Sequence, residues 1–173
     1  MGIVTLITGG ARSGKSAHAL ELAQQAPGAR RFFIATAQAL DDEMRERISH
    51  HRANRSADFA TIEEPIAISA ALSKLASRAD IVVVDCLTLW ISNLLMARRS
   101  DEDILAEARG LAATMAGASF GSIVVTDEVG AGIVPENAMA RRFRDLLGWT
   151  NQALAQTAER VVLMVAGYPM RVK

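Results

Sequence analysis

Cysteine is nearly absent from this chain of 173 residues: a lone thiol, Cys86, excludes an internal disulfide and has no companion for a thiolate metal site. Cys86 is expected to fill space beside a strand. Charge of one sign is missing too, because 19 Lys and Arg balance 19 Asp and Glu. Such a balance gives no broad electrostatic footprint for nucleic acid or an anionic membrane. Long hydrophobic runs are also lacking. The longest, Val161 to Ala166, is far too short to cross a bilayer, and the N-terminus leads straight into a strand-like run without a signal-peptide pattern. A cytoplasmic protein is expected, with no membrane insertion and no nucleic-acid partner. Repeats, low-complexity tracts and linkers are absent as well. With 50% of its residues hydrophobic, the chain suits one domain spanning residues 1–173 with a substantial core.

What is present in full is a phosphate-binding motif. Gly9, Gly10, Ala11, Arg12, Ser13, Gly14, Lys15 and Ser16 fill every fixed position of the P-loop pattern G-x-x-x-x-G-K-[ST]. They follow the apolar run Ile3 to Thr8 and precede a helix-like segment, which is the context the motif needs. The glycines let the backbone curl until successive N–H groups face phosphate oxygens, and the following helix adds the positive end of its dipole. Gly9 and Gly14 are the positions least tolerant of a side chain. Lys15 is expected to reach the β- and γ-phosphates, and the Ser16 hydroxyl to ligate the Mg²⁺ that accompanies them. The motif names a nucleoside triphosphate as ligand but not the reaction.

Apolar, β-branched runs at Ile3 to Thr8, Arg31 to Ala35, Ile81 to Asp85, Ser122 to Asp127 and Arg160 to Val165 alternate with helical segments. Phe59 to Glu63 is a weaker strand candidate. Helices are predicted over Lys15 to Gln25, Asp41 to Asn54, Pro65 to Ala76, Leu87 to Ala97, Asp101 to Met115 and Met139 to Ala158. This alternation reads as an α/β protein of the P-loop NTPase, RecA-like kind: a three-layer sandwich, its mostly parallel sheet covered by helices on both faces. In open α/β sheets the ligand lies beyond the carboxyl ends of the strands. Residues that end strands therefore matter most, namely Thr36 to Gln38, Glu63, Asp85 and Asp127 to Gly132.

Asp85 closes the run Ile81 to Val84, as a Walker B carboxylate does when a buried strand aims an acid at the Mg²⁺ shell. It is read as the partner of Ser16 in holding the metal, with a helix-capping aspartate as the alternative. Asp127 and Glu128 close the next strand, either to orient an attacking hydroxyl or contact the metal, or as turn carboxylates facing solvent. Two of the chain's 3 histidines, His50 and His51, are adjacent on a charged helical segment. Met44, Ile48 and His51 share one helical face, and His50 is turned about 100° away. Periodicity leaves two accounts of His51 open. It packs at the margin of the core, or it is a nucleophile whose neutral imidazole attacks phosphorus to give a phosphoramidate.

The segments Thr8 to Ser16, Ile34 to Thr36, Leu40 to Met44, Arg47-Ile48 with His50-His51, and Glu128 to Asn137 together resemble one family. It is the bifunctional adenosylcobinamide kinase and adenosylcobinamide-phosphate guanylyltransferase of cobalamin assembly. The resemblance runs on through Phe143 to Asp145, Asn151-Gln152 and the last apolar strand, and is loose from Ile66 to Ala79 and from Ala97 to Ala118. It implies two reactions: phosphorylation of adenosylcobinamide by ATP or GTP, then transfer of GMP from GTP to the new phosphate, giving adenosylcobinamide-GDP and pyrophosphate. It implies that His51 carries the guanylyl group, with His50 as its neighbour, and that Lys15 serves catalysis. It further places the nucleotide on Gly9 to Ser16, Ala35, Thr36, Ala37, Arg52, Ala53, Asn54, Arg55, Glu63 and Asp85, and implies a homotrimer. Two positions depart from the family pattern. Asp85 stands in place of Glu, which keeps the carboxylate but shortens its reach, and Asp127 stands in place of Asn, so the resemblance lends it no catalytic role. Two other readings compete: a P-loop small-molecule kinase without a covalent nucleotide intermediate, and a GTP-dependent regulator.

Overall fold

The computed structural model describes residues 2–39, 42, 45, 46, 49 and 57–173. Seven strands form its sheet: β1 (Val4–Gly9), β2 (Arg31–Ala35), β3 (Phe59–Glu63), β4 (Ile81–Asp85), β5 (Gly121–Val125), β6 (Arg160–Val165) and β7 (Tyr168–Arg171), in the spatial order β3-β2-β4-β5-β1-β6-β7. The first six are parallel, and β7 returns antiparallel along β6. The five strong strand expectations and the weaker one at Phe59 all correspond to strands. β7 is an addition, and β5 stops at Val125 rather than at Asp127.

Strand residues alternate between two cores, as the two-residue period of a pleated sheet requires. Val4, Leu6, Ile34, Val82, Val84 and Val124 point to the larger core, where they meet α2 (Ile68–Ser73), α3 (Leu87–Met96), α4 (Asp101–Ala116) and α5 (Ala138–Thr157). Ile7, Phe33, Ile81, Val83, Ile123 and Val125 point to the smaller one, against Ala19 and Ala23 of α1 (Lys15–Gln25). Helices thus cover both faces, in the three-layer sandwich read from the sequence. Among the described residues no helix is long and apolar enough to cross a membrane.

Local chemistry sets the helix ends. Ser100 caps α4 by accepting from the Asp103 N–H at 3.1 Å, and Asp101, Glu102 and Asp103 set negative charge in the first turn, where the helix dipole favours it. Asn137 caps α5 in the same way through the Ala140 N–H. The expected helix over Pro65 to Ala76 proves shorter. Glu64 Oε1 accepts from the N–H groups of Ile66 and Ala67 at 3.1 and 2.8 Å, so residues 65–67 form a turn and α2 begins only at Ile68. Most of the expected helix from Asp41 to Asn54 lies outside the described residues, although Asp42, Arg45, Glu46 and Ser49 within it are helical.

This topology decides what surrounds the P-loop. β1 lies between β5 and β6, so the strand ending in Asp85 is separated from the P-loop strand by β5. The carboxylate nearest in the sheet to the P-loop is therefore the one that follows β5.

Candidate active site

The segment between β1 and α1 has the backbone a phosphate cradle needs. Gly14 caps α1 with φ 94°, no side chain caps that helix, and no acidic residue occupies its first turn. A Cβ on Gly9 would lie 2.5 Å from the Met164 carbonyl oxygen and 2.8 Å from Ser13 Oγ, so only glycine fits there. Arg12 adopts a positive φ of 55° at the exposed tip. The Gly167 N–H donates to the Ser13 carbonyl at 3.1 Å, which ties the β6–β7 turn to the back of the loop.

Lys15 is 8% exposed and lies across this loop. Its Nζ donates to the Gly10 carbonyl at 2.6 Å and pairs with Asp127 Oδ1 at 2.6 Å. Ser13 Oγ in the loop and Thr8 Oγ1 in β1 are buried with no hydrogen-bond partner, a condition shared elsewhere only by Ser122 and Thr150 among the described residues. A buried hydroxyl left unpaired is costly, and of these four Ser13 sits on the segment that curls around a phosphate, with Thr8 in the strand that leads into it.

The strand ends line up beside it. Glu63 is in register with Ala35, Ala35 with Asp85, Asp85 with Val125, and Val125 with Ile7, which brings the sequence-derived candidates to one edge of the sheet. Thr36 holds two of these strands together. Its Oγ1 donates to the Cys86 carbonyl and accepts from the Cys86 N–H, both at 2.8 Å, while its own carbonyl accepts from Asn93 Nδ2. Thr36 is wholly buried, and its hydroxyl fixes the backbone around Asp85; Ala35 and Ala37 flank it, partly buried. Burial, and then the charges of Asp85 and Asp127, push the Cys86 thiol up to about 12. A thiol held neutral is a poor nucleophile, in keeping with its space-filling role.

Residues 5–172 match the family described as cobinamide kinase / cobinamide phosphate guanyltransferase. The chain belongs to this family. It is 46% identical over 169 residues to the bifunctional adenosylcobalamin biosynthesis protein CobP of Pseudomonas aeruginosa, covering 97% of this chain and 96% of that protein. It is 39% identical over 183 residues to the corresponding protein CobU of Salmonella typhimurium, covering 99% and 100%, and 38% identical to CobU of Escherichia coli over the same span. Among solved structures, the RadB recombinase superposes with a TM-score of 0.56 at 14% identity, covering 93% of this chain and 73% of that one. At that identity it speaks for the fold alone, and the fold is the RecA-like P-loop arrangement expected.

In this cobinamide kinase family member, sequence reasoning left the supports of Asp127 unseen. The Asp127 N–H donates to Thr88 Oγ1 at 2.8 Å, and its carbonyl accepts from Asn151 Nδ2 at 3.1 Å. Asn151 is itself held by the Thr126 hydroxyl at 2.7 Å. Asn151 was visible only as part of the resemblance, and Thr88 carried no signal. His50, His51, Arg52, Ala53, Asn54 and Arg55 lie outside the described residues. For Mg²⁺ the donors suit a site completed by phosphate and water: Ser16 in the first turn of α1 and Asp85 at the end of β4 supply hard oxygens. No group of three or more His, Cys, Asp or Glu that could hold a metal without nucleotide occurs among the described residues.

Proposed function

We propose that this protein phosphorylates the aminopropanol hydroxyl of adenosylcobinamide with ATP or GTP, then transfers GMP from GTP to that phosphate through a guanylylated His51. The family match over residues 5–172 carries this reading. The P-loop geometry supports it at the level of chemistry. In the first reaction the substrate hydroxyl oxygen attacks the γ-phosphorus and the nucleoside diphosphate leaves. In the second, an imidazole nitrogen of His51 attacks the α-phosphorus of GTP, and pyrophosphate departs. The phosphate oxygen of adenosylcobinamide phosphate then attacks the phosphoramidate, whose P–N bond breaks as the imidazole regains its proton. Charge accumulates on the β- and γ-phosphates in both nucleotide-cleaving steps, so a single cradle with Lys15 serves both.

Within this reading the nucleotide lies on Gly9 to Ser16, with Ala35 to Ala37, Arg52 to Arg55, Glu63 and Asp85 around it. Mg²⁺, held by Ser16 and Asp85 with the phosphates, would neutralise charge on the transferred and leaving groups. Residues 1–173 act as one domain, a view favoured by a sheet whose strands run from Val4 to Arg171. A homotrimer in the cytoplasm completes the proposal, on the family resemblance and the lack of membrane-spanning helices among the described residues.

The test is to incubate the protein with GTP labelled at the α-phosphate, denature it, and look for bound label that is acid-labile and alkali-stable. His51→Ala should abolish both the label and guanylyl transfer while sparing phosphorylation of adenosylcobinamide, and His50→Ala should keep the label. Labelled His51→Ala protein would sink His51 as the nucleophile. A wild-type protein that phosphorylates the substrate without ever taking up label would point to a kinase lacking the covalent step.

A further inference from the structure

Among the described residues, Asp127 is the one carboxylate in an ion pair with the P-loop lysine, at 2.6 Å. No motif assigns it a task. We propose that Asp127 makes triphosphate binding depend on the divalent cation: it pairs with Lys15 and repels a polyphosphate that arrives without its metal. This inference rests on the reading of Gly9 to Ser16 as a triphosphate cradle.

Three observations carry it. The first is that the backbone carrying the carboxylate is fixed from separate elements. Thr88 of α3 accepts the Asp127 N–H, Asn151 of α5 donates to its carbonyl, and the next residue, Glu128, donates its N–H to the carbonyl of Gly9 at 3.0 Å. The second is that Lys15 is already committed to protein groups. Its Nζ is shared between Asp127 and the Gly10 carbonyl, and only 8% of the residue is exposed. A β- or γ-phosphate that recruits Lys15 must take it from Asp127. The third is what remains after the exchange. Asp127 is then a partly shielded negative charge on a held backbone beside a ligand carrying several more, and the second strand-end carboxylate, Asp85, closes β4, the strand next to β5.

Charges a few ångströms apart in a partly desolvated loop repel strongly enough to change affinity by an order of magnitude or more. A divalent cation on the phosphates weakens that repulsion, since the carboxylate then faces a complex of lower negative charge with a positive centre. Asp127 thereby discriminates the metal–nucleotide complex from free nucleotide without needing to ligate the metal.

The experiment is calorimetric titration of GTP into the full-length protein with Mg²⁺ and with EDTA, comparing wild type, Asp127→Asn and Asp127→Ala, each first checked by thermal melting. The expected result is that both variants bind metal-free GTP about tenfold more tightly than wild type, so that the ratio of the two affinities contracts. Metal-free affinity that is unchanged or weaker in both variants overturns the proposal, whatever happens when Mg²⁺ is present. If only the alanine variant folds, its metal-free affinity decides. A wild-type protein that binds GTP under neither condition overturns the triphosphate cradle itself, a failure distinct from that of Asp127 alone.

Discussion

At the amino ends of the strands Arg30 clamps Asp80, and at the carboxyl ends Lys15 holds Asp127. The two pairs are alike in charge and unlike in surroundings. Asp80 accepts from the N–H groups of Ala29 and Arg30 at 3.1 and 3.0 Å, and from Arg30 Nε and Nη2 at 3.1 and 2.5 Å. Arg30 Nη1 donates to the Ser77 carbonyl. The two side-chain donors converge on Oδ1 and the two backbone donors on Oδ2, so both oxygens of the carboxylate are met by protein donors. The Lys15 pair is built otherwise. It lies beside an orphaned Ser13 hydroxyl, under an uncapped helix, on a loop where Gly9 has no room for a side chain. An ion pair whose carboxylate oxygens are all met by protein donors fixes a turn, whereas one set among unmet donors can exchange its partner for a phosphate.

The contrast is tested most severely at Lys15. Lys15→Ala should lose both activities by at least roughly a hundredfold, as expected when a charge that stabilises the transition state is removed, and should no longer bind GTP in titration. Its thermal midpoint should stay close to that of wild type. A variant that unfolds instead would make the Lys15 pair structural, like its counterpart at the other end. At that other end the reverse pattern is expected. Gly28 has φ 96°, and a Cβ there would come within 2.5 Å of Asp80. Gly28→Ala should therefore cost about 1–2 kcal/mol in urea unfolding from backbone strain alone, with kinase and guanylyl transfer rates retained.

How far these features could be read in advance depends on their range along the chain. The P-loop and six strands are written locally, in glycine spacing and in β-branched runs. β7 is not. Tyr168 to Arg171 is exposed throughout and contains Pro169, tolerable only because this strand is at the edge of the sheet. The two-residue turn before it has Ala166 and Gly167 at φ 50° and 88°, the positive values of a primed hairpin turn, but an alanine stands where asparagine would have announced it. The Lys15 and Asp127 pair was hidden for another reason. Both residues stood out as candidates, yet their meeting depends on β5 lying between β4 and β1, a strand order that no local pattern encodes. Thr36 was legible as a strand-end residue, but the use of its hydroxyl on the backbone of Cys86 was not, because that contact joins residues fifty positions apart.

The smallest expected effect sharpens the comparison through pH. Hydrogen bonds from the Arg30 side chain, helped by its backbone N–H and its charge, hold the Asp80 carboxyl at about 2, below its ordinary value of 3.8. A carboxylate held more acidic in the fold than in the open chain favours the fold while it is ionised in both states. Its contribution is therefore complete above about pH 4 and disappears as the pH falls from there toward about 2. Because the pair is exposed to solvent and screened, the effect is modest and should shrink further in high salt. Asp80→Asn should be slightly less stable than wild type at neutral pH, and the two stability curves should converge as the pH falls through that window, as followed by urea unfolding at a series of pH values. If the gap between the curves were the same at pH 2 as at neutral pH, the amino-end clamp would act through shape and hydrogen bonding alone, and its likeness in charge to the Lys15 pair would carry no weight.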